Sequence, residues 1–457
     1  MPVMEIAESP RPVHAESRTA ADHSAGLRLL RRGASGALLV QVGGAGFSLL
    51  VNVLLARLVG KAEYGIYAFV LSWISVLTVL ALLGQSSSVV RFVPTYLHRQ
   101  EWGTLRGLRR GASMLVLAAS GVIMLAGACA VLMLRNRLGG TLERTLLVGF
   151  LLLPVLTQLG LNGAFFRGFK QAVNSGAYNN LVRPIVLIGL VLILALPLGL
   201  RLSAPDVMAA SVVAALVTLG CSEWRLTHAW SVAAKRARPS YDVPAWLKLG
   251  RRLFFLAAIG IVINRVDVLI LGGLAGAEVV GPYYAAVKLA ALALYGLTAV
   301  NTILAPMIAE SYAADDHAKL AKLVHHAARL TFVVTVVVAL AIAIAGHWVL
   351  GLFGKGFPES AYVPLLIILG GQCISAAAGP VGFLMTMTRY EREASWFLGA
   401  SALLNVLLSV ALIPAFGLIG AAIASAGSTI AWNLSALVFV RARLDVNPTV
   451  LPLPSKR

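Results

Sequence analysis

Three ionisable side chains, Arg265, Asp267 and Lys288, lie inside long apolar runs of the sequence. Charges are costly within hydrocarbon, so such residues indicate a functional site by default. At 1.5 Å per helical residue, all three lie about 10–14 Å deep in adjacent helices. Arg265 and Asp267 are about 200° apart around a helix and therefore face different directions. We expect Asp267 to pair with Lys288, and Arg265 to face a cavity where its planar fork can bind an anion.

Two other roles for these charges stay open. All three residues can form one neutralising network that only fixes the packing of the helices. Alternatively, Asp267 can exchange a proton and couple a transport step to it, because burial and neighbouring cations have opposite effects on a carboxylate.

Polar neighbours at helical spacing extend the candidate cavity. Asn264 precedes Asp267 by three residues, and Tyr284 precedes Lys288 by four, so each shares a helix face with its charged partner. Amide and phenol groups suit hydroxyl-rich ligands. The alternative is hydrogen bonding between helices, which is common for polar residues in lipid.

The elements that position these residues are membrane helices. Apolar residues make up 59% of the 457 residues, charged residues only 12%, and the mean hydropathy is +0.84. A soluble domain carries about 25% charged residues, so most of this surface must face lipid. About twelve spans of roughly 20 apolar residues are predicted. They lie near 34–57, 64–84, 111–134, 142–166, 180–200, 205–228, 252–274, 280–305, 329–352, 360–388, 394–415 and 417–440.

Charge in the loops predicts the orientation of these spans. Most of the 38 Lys and Arg residues fall in alternate segments between spans, together with both termini. By the positive-inside rule, both termini are therefore cytoplasmic. The polar residues 1–33 lack an apolar core and a cleavage site, which predicts a disordered tail and no signal peptide. Because the basic residues are dispersed among apolar spans, a nucleic-acid-binding domain is excluded.

Two parts of the chain resemble each other. Residues Asn52–Tyr67 align with Asp267–Tyr283 after one inserted residue. The aligned pairs include Asn52 with Asp267, Gly65 with Gly281, Tyr67 with Tyr283 and Ser72 with Lys288. A unit repeated after six spans enters the membrane twice in the same direction, which gives a pseudo-two-fold axis along the membrane normal. Two such bundles, predicted at 34–235 and 245–443 and followed by a cytoplasmic tail at 444–457, enclose a central cavity.

The repeat places uncharged residues in the first half of that cavity. Asn52 and Ser72 correspond to Asp267 and Lys288, so the predicted charge belongs to the second half alone. Gln41 lies on the same helix face as Asn52. The sequence contains no acidic residue that we assign to the cavity of the first half.

Basic residues at the inner ends of spans form a predicted cytoplasmic entrance. These residues are Arg91, Arg167 and Lys170. The alternative is that they are ordinary anchors at the membrane surface. We predict neither a metal site nor a disulfide, because the three cysteines lie singly in apolar runs. No Walker A motif is present, so ATP hydrolysis is not expected.

Five segments resemble those of a known protein family, namely Leu54–Val70, Arg91–Pro94, Phe166–Gly168, Asp267–Gly272 and Tyr283–Lys288. They look like the polysaccharide transporter family, which comprises the O-antigen and exopolysaccharide flippases of the multidrug/oligosaccharidyl-lipid/polysaccharide (MOP) exporter superfamily. The resemblance implies an all-α fold like that of the MATE and other MOP transporters, with two six-helix bundles and no catalytic residues. It also implies alternating access between the two bundles.

The same resemblance implies the substrate. Members move undecaprenyl-pyrophosphate-linked oligosaccharides across the bacterial inner membrane, with membrane lipids, a polysaccharide polymerase and export machinery as further partners. Arg265 would then bind the pyrophosphate. No cofactor is expected, and coupling to H⁺ or Na⁺ stays open. Two alternatives also remain, namely a cation-coupled multidrug antiporter of the same superfamily and, less favoured, a membrane polysaccharide polymerase.

Overall fold

The computed structural model describes residues 36, 40–195, 202–294, 307–308, 310–311, 317–388, 390–444 and 447–450. The predicted N-terminal tail at 1–33 lies outside the described residues. Within the described ranges the chain is helical and contains no strand. The helices are α1 Val40–Val59, α2 Lys61–Leu82, α3 Gln85–His98, α4 Trp102–Met133, α5 Gly140–Gly168, α6 Ala172–Ala195, α7 Ala204–Ala229, α8 Val232–Arg236, α9 Val243–Ile263, α10 Val266–Ala275, α11 Ala277–Leu294, α12 His317–Phe353, α13 Phe357–Ala377, α14 Val381–Met387 and α15 Glu391–Leu444.

Among the described residues, ten helices are long and apolar enough to cross a membrane. Helix α15 contains two of the predicted spans, because its backbone bends at Gly417 (φ 56°, ψ −125°). The shorter apolar helix α10 continues α9 and completes another span. The prediction of an all-α polytopic membrane protein is therefore confirmed.

Two predicted spans are interrupted. The span predicted at 252–274 breaks at Asn264 and Arg265, between α9 and α10. The span predicted at 360–388 breaks at Gly379 and Pro380, between α13 and α14. The first break occurs at Arg265, one of the ionisable residues that the sequence singled out.

Helices α2–α7 pack into one bundle, in which α5 contacts α2, α3, α4 and α7. Helices α10–α15 form a second bundle, in which α13 contacts α11, α12 and α15. The bundles meet where α2 crosses the start of α11. The exact domain boundaries stay a prediction, because α9 packs mainly on α2 and α3 of the first bundle, and also on α15.

The crossing of α2 and α11 depends on the two glycines that the repeat aligns. A Cβ atom at Gly65 would lie 2.6 Å from the carbonyl oxygen of Glu278, and one at Gly281 would lie 2.6 Å from that of Lys61. Each glycine thus packs on the backbone of the other repeat, as a pseudo-two-fold axis between them requires. The Lys61 ammonium also donates a hydrogen bond to the Ser360 hydroxyl at 2.8 Å, which ties the bundles at the predicted outer end.

Helix α9 is fixed to the first bundle at the predicted cytoplasmic end. The Trp246 indole N–H donates to the Tyr96 hydroxyl at 3.0 Å, and the Ser88 hydroxyl donates to the Trp246 carbonyl at 3.4 Å. Burial raises the pKa of Tyr96, so this phenol stays neutral to a higher pH than a free tyrosine. Gly84, with φ 73°, packs against the backbone of Gly250 so closely that a side chain there would collide. Helix α9 therefore contacts both bundles and ends at Asn264–Arg265, before α10.

Part of the predicted C-terminal tail packs on the second bundle. The Val450 amide donates to the carbonyl of Ala377 at 3.3 Å, and His325 Nδ1 lies 3.1 Å from the Thr449 carbonyl oxygen. The described residues 447–450 thus cover the connection between α13 and α14.

Candidate functional site

Two cations lie close to one buried tyrosine near the contact between the bundles. The Arg265 guanidinium carbon lies 6.0 Å from the centre of the Tyr284 ring, and Lys288 Nζ lies 5.1 Å from it. Tyr284 is only 1% exposed, whereas both cations are half-buried. A ring face attracts cations at these distances. The arrangement therefore places two positive charges near one aromatic ring, and neither forms an ion pair within the described residues.

The break between α9 and α10 explains the position of Arg265. Arg265 is the residue before α10 and has non-helical dihedral angles (φ −136°, ψ −18°). Its Nε atom is buried and has no hydrogen-bond partner among the described residues. A buried donor without a partner is costly, so Arg265 stays a candidate for binding an acceptor from outside the chain.

Asp267 does not pair with Lys288, which corrects the predicted arrangement. The Tyr283 hydroxyl donates to Asp267 Oδ2 at 2.6 Å, and the Val268 amide donates to Oδ1 at 2.8 Å. The reason lies in α11, where Tyr283 and Lys288 are five residues and about 140° apart. Tyr283 therefore faces into the second bundle, whereas Lys288 faces the Tyr284 ring.

A small cavity adjoins Asp267 inside the second bundle. It has a volume of about 170 Å³ and lies between α10, α11, α13 and α15, with Asn264, Gln372 and Ser425 among its polar lining residues. Asn264 donates to the Gly260 carbonyl at 2.7 Å and is exposed, because α9 turns away at this point. The cavity is large enough to hold several waters or a cation with part of its hydration shell.

Tyrosines connect the two bundles beside the cations. The Tyr64 hydroxyl donates to Asn52 Oδ1 at 2.8 Å, and the Tyr64 and Tyr284 rings meet edge to face with centroids 6.2 Å apart. Tyr67 hydrogen-bonds to Ser211 at 3.2 Å. Asn52 thus orients Tyr64, and Tyr64 contacts the tyrosine that lies close to both cations. The four residues Tyr64, Tyr284, Arg265 and Lys288 are called the central cluster below.

The first bundle contributes its own cation, which sequence analysis missed. A cavity of about 450 Å³ lies between α1 and α6, with polar lining from Gln41, Ser48, Asn179, Asn180 and Arg183. Arg183 was inside the predicted span 180–200, so the rule that singled out Arg265 also applied to it. A π-helical turn at Tyr178–Val182 precedes it, and such turns are frequent at functional sites. Positive charge is therefore present in both bundles.

The remaining predicted site residues fall into two groups. Ser72 is fully buried and donates to the Ala68 carbonyl of its own helix at 2.8 Å, which favours a packing role. Arg91, Arg167 and Lys170 are exposed at the predicted inner ends of their helices. Exposure fits both an entrance and a surface anchor, so the role of these three residues stays a prediction.

Residues 30–312 match the family described as polysaccharide biosynthesis protein. The chain belongs to this polysaccharide biosynthesis family. The comparison with curated proteins finds no match.

Solved structures similar to this family member are transporters of the MOP superfamily. An inward-facing multidrug resistance MATE transporter has a TM-score of 0.72 and 14% identity, over 87% of this chain and 94% of the other. The lipid II flippase MurJ in an inward closed conformation has a TM-score of 0.70 and 13% identity, over 88% and 87%. A MOP transporter from Pyrococcus furiosus reaches 0.63 and 14%, over 90% and 96%. At such low identity these likenesses establish the fold.

This family member also has an acidic residue in its first bundle, Glu223, that sequence analysis did not single out. Glu223 on α7 accepts two hydrogen bonds of 2.6 Å from Arg109 on α4. The amides of Asn162 and Gln158 donate to the same carboxylate at 3.0 and 3.2 Å. Because Arg109 neutralises it within this network, Glu223 fixes the packing of α4, α5 and α7.

Replacement of Glu223 by Gln should destabilise the first bundle by about 1–3 kcal/mol, because Arg109 would lose its partner in a partly buried site. Glu101→Gln is the matched control, since Glu101 forms a longer 3.8 Å ion pair with Arg99 near solvent. That pair contributes about 0–1 kcal/mol. Thermal unfolding in detergent, followed by tryptophan fluorescence, compares the two variants. Equal midpoints for both would show that the Glu223 network does not stabilise the fold.

Proposed function

We propose that the chain is a flippase that moves undecaprenyl-pyrophosphate-linked oligosaccharide from the cytoplasmic to the periplasmic leaflet of the bacterial inner membrane. The observation that carries the proposal is the pair of cations, Arg265 and Lys288, at 6.0 and 5.1 Å from the centre of the Tyr284 ring near the contact between the bundles. A pyrophosphate offers several acceptor oxygens to a guanidinium fork and an ammonium. Membership of the polysaccharide biosynthesis family supports an oligosaccharide as the rest of the substrate.

Alternating access supplies the mechanism. In the present arrangement, Gly65 and Gly281 hold the bundles together at the predicted outer end. The 450 Å³ cavity lies in the predicted inner halves of α1 and α6, where Arg183 and the amides of Asn179 and Asn180 can receive sugar and phosphate groups. Separation of the glycine contact would open the central cluster to the other side. The polyprenyl chain stays in the bilayer throughout.

The proposed substrate is tested by deleting the gene and analysing lipid extracts by mass spectrometry. We expect lipid-linked oligosaccharide to accumulate and to resist a membrane-impermeant glycosidase added to spheroplasts, because the sugar stays on the cytoplasmic side. Plasmid-borne wild type should reverse both effects. Sugar that becomes accessible at the wild-type rate without the protein would contradict a flippase. Single repeat units on the outer leaflet, with no longer chains, would instead indicate a polymerase.

A cation-coupled small-molecule antiporter is the second candidate, and Asp267 is the observation that favours it. This carboxylate is 4% exposed, forms no ion pair within the described residues and adjoins the 170 Å³ cavity. Such a group can bind H⁺ or Na⁺ in either function, so we also propose Asp267 as the coupling site of the flippase. Altered drug sensitivity in the deletion strain, with no change in lipid-linked sugar, would decide for the antiporter.

Asp267→Asn should abolish the dependence of transport on an imposed H⁺ or Na⁺ gradient, because the amide cannot exchange a proton and carries no charge for a cation. We expect downhill movement of substrate to persist, since Asp267 does not touch the central cations. The measurement uses proteoliposomes with synthetic undecaprenyl-pyrophosphate-linked sugar and a gradient of each ion in turn. Glu359→Gln, at an exposed position in the first turn of α13, is the control. Full gradient dependence in Asp267→Asn would remove Asp267 from coupling.

A further inference from the structure

A second positively charged depression lies on the first bundle, away from the contact between the bundles. It has a volume of about 350 Å³ and is formed by α4, α7 and α8. Its lining contains four basic residues and one acid, namely Arg106, Arg109, Arg110, Lys235 and Glu223. Thr227 and Trp230 complete its polar and aromatic edge. We call it the α4–α7 groove.

The groove opens at the end of a lipid-facing surface. Met114, one turn beyond Arg110 on α4, is 66% exposed, and Trp224, one turn before Thr227 on α7, is also 66% exposed. Large apolar side chains with this exposure in membrane helices face acyl chains. The basic residues of the groove therefore lie at the ends of the two lipid-facing helix surfaces and not in the interior of the bundle.

The length of α4 places the groove at the level of head groups. Its 32 residues extend about 48 Å, whereas the hydrocarbon core is about 30 Å thick. Arg106–Arg110 lie in its first three turns, beside Trp230 at the end of α7. Tryptophan is enriched at the membrane–water interface. The groove therefore lies at the depth of the lipid phosphates of the adjacent leaflet.

Most of the charge in the groove is not neutralised by the protein. Glu223 is already engaged by Arg109 at 2.6 Å, so this pair is balanced. Arg106 uses one guanidinium nitrogen for the Ala237 carbonyl at 2.8 Å and keeps its charge. Arg110 and Lys235 are exposed and have no acceptor among the described residues. Three positive charges therefore surround a space that is open to lipid.

The floor of the groove suits the apolar part of a lipid next to its head group. Trp230 packs on Phe165 and Phe169, with ring centroids 6.2 and 5.8 Å apart, and this contact holds its ring at the groove edge. Leu226 forms part of the lining and is buried beneath it. An occupant must therefore combine an anionic group with an apolar body.

We propose that the α4–α7 groove binds an anionic glycerophospholipid, with its phosphate between Arg110, Lys235 and Arg106 and its glycerol region against Trp230. The substrate's pyrophosphate shares the phosphate chemistry. However, the groove faces lipid at the periphery of the first bundle, whereas the central cluster lies near the contact between the bundles. Phospholipid is also the molecule present at this surface at all times. This proposal stands without the proposed function.

The test is native mass spectrometry of the purified full chain with added phosphatidylglycerol or phosphatidylcholine. We expect wild type to retain phosphatidylglycerol in clear preference to phosphatidylcholine. The double variant Arg110→Gln/Lys235→Gln should retain about tenfold less phosphatidylglycerol, because each basic residue near a lipid head group adds to the attraction. Arg135→Gln/Arg137→Gln is the control, since both residues are exposed at the opposite end of α4 and the net charge changes equally.

Three results would overturn the proposal. The first is equal retention of the two phospholipids by wild type. The second is an equal loss of phosphatidylglycerol in the groove variant and the control variant. The third is displacement of phosphatidylglycerol by undecaprenyl pyrophosphate at much lower concentration in wild type but not in the groove variant, which would make the groove a substrate site. Unchanged thermal unfolding of the double variant establishes that it is folded.

Discussion

Leucine in place of Gly65 should leave the chain folded in the membrane but shift it away from the arrangement with a closed outer end. A Cβ atom at this position would lie 2.6 Å from the carbonyl oxygen of Glu278 and 2.7 Å from that of Ala277. Backbone atoms cannot move aside as a flexible side chain can. Overpacking costs about 1–3 kcal/mol, and here the cost falls on the closed arrangement alone. The equilibrium should therefore shift by about 5- to 150-fold, and transport should fall because one half of the cycle is disfavoured.

Distance measurements between spin labels test this shift directly. The labels are attached at Arg137→Cys in the first bundle and Lys355→Cys in the second, both exposed at the predicted outer end. The native cysteines are first replaced by alanine. We expect the short distance of wild type to be largely replaced by a longer one in Gly65→Leu.

A nearby glycine provides the control for the added volume. Gly273→Leu adds the same side chain, in this case to α10 of the second bundle. No neighbouring atom lies within 4 Å of a Cβ atom at that position. It should keep the wild-type distances and transport rate. Gly281→Leu should reproduce the effect of Gly65→Leu, because its Cβ atom would meet the Lys61 carbonyl at 2.6 Å. Wild-type distances in both Gly65→Leu and Gly281→Leu would mean that this crossing does not control the outer end.

The sequence predicted those features that depend on composition and local spacing. Hydropathy identified the membrane helices, since an apolar run of about 20 residues has no other stable environment. The aligned glycines Gly65 and Gly281 indicated where the halves correspond, and the structure adds that they touch. The rule that buried charges indicate function led to Arg265 and Lys288, which lie together at Tyr284.

The features that sequence analysis missed depend on tertiary contacts. Glu223 and Arg109 are 114 residues apart in the chain, and only the packing of α4 on α7 makes them partners. The break at Asn264–Arg265 has no proline or glycine to indicate it, so α9 and α10 read as one helix. Asp267 was assigned to Lys288 because both charges lie at one depth. Tyr283, on another face of α11, forms the hydrogen bond instead.

Removal of both central cations, in Arg265→Gln/Lys288→Gln, should reduce transport of the lipid-linked oligosaccharide by at least about a hundredfold. Hydrogen bonds to charged groups contribute about 1.5–3 kcal/mol each, and the two cations act on the same anion. Each single variant should lose about tenfold on the same basis. Arg265→Lys should recover only part of the loss, because an ammonium keeps the charge but not the two parallel donors of the guanidinium.

The measurement must separate loss of the site from loss of the fold. Lys322→Gln/Arg329→Gln removes two positive charges from exposed positions on α12 and should transport normally. Native mass spectrometry with undecaprenyl pyrophosphate should show weaker binding in the double variant of the central cluster and unchanged binding in this control. Since Arg265 Nε is buried and has no partner in the described part of the chain, Arg265→Gln removes an unsatisfied donor and should not lower the unfolding temperature. A central-cluster variant that transports and binds like wild type would show that pyrophosphate is recognised elsewhere, with Arg183 in the first bundle as the next residue to replace.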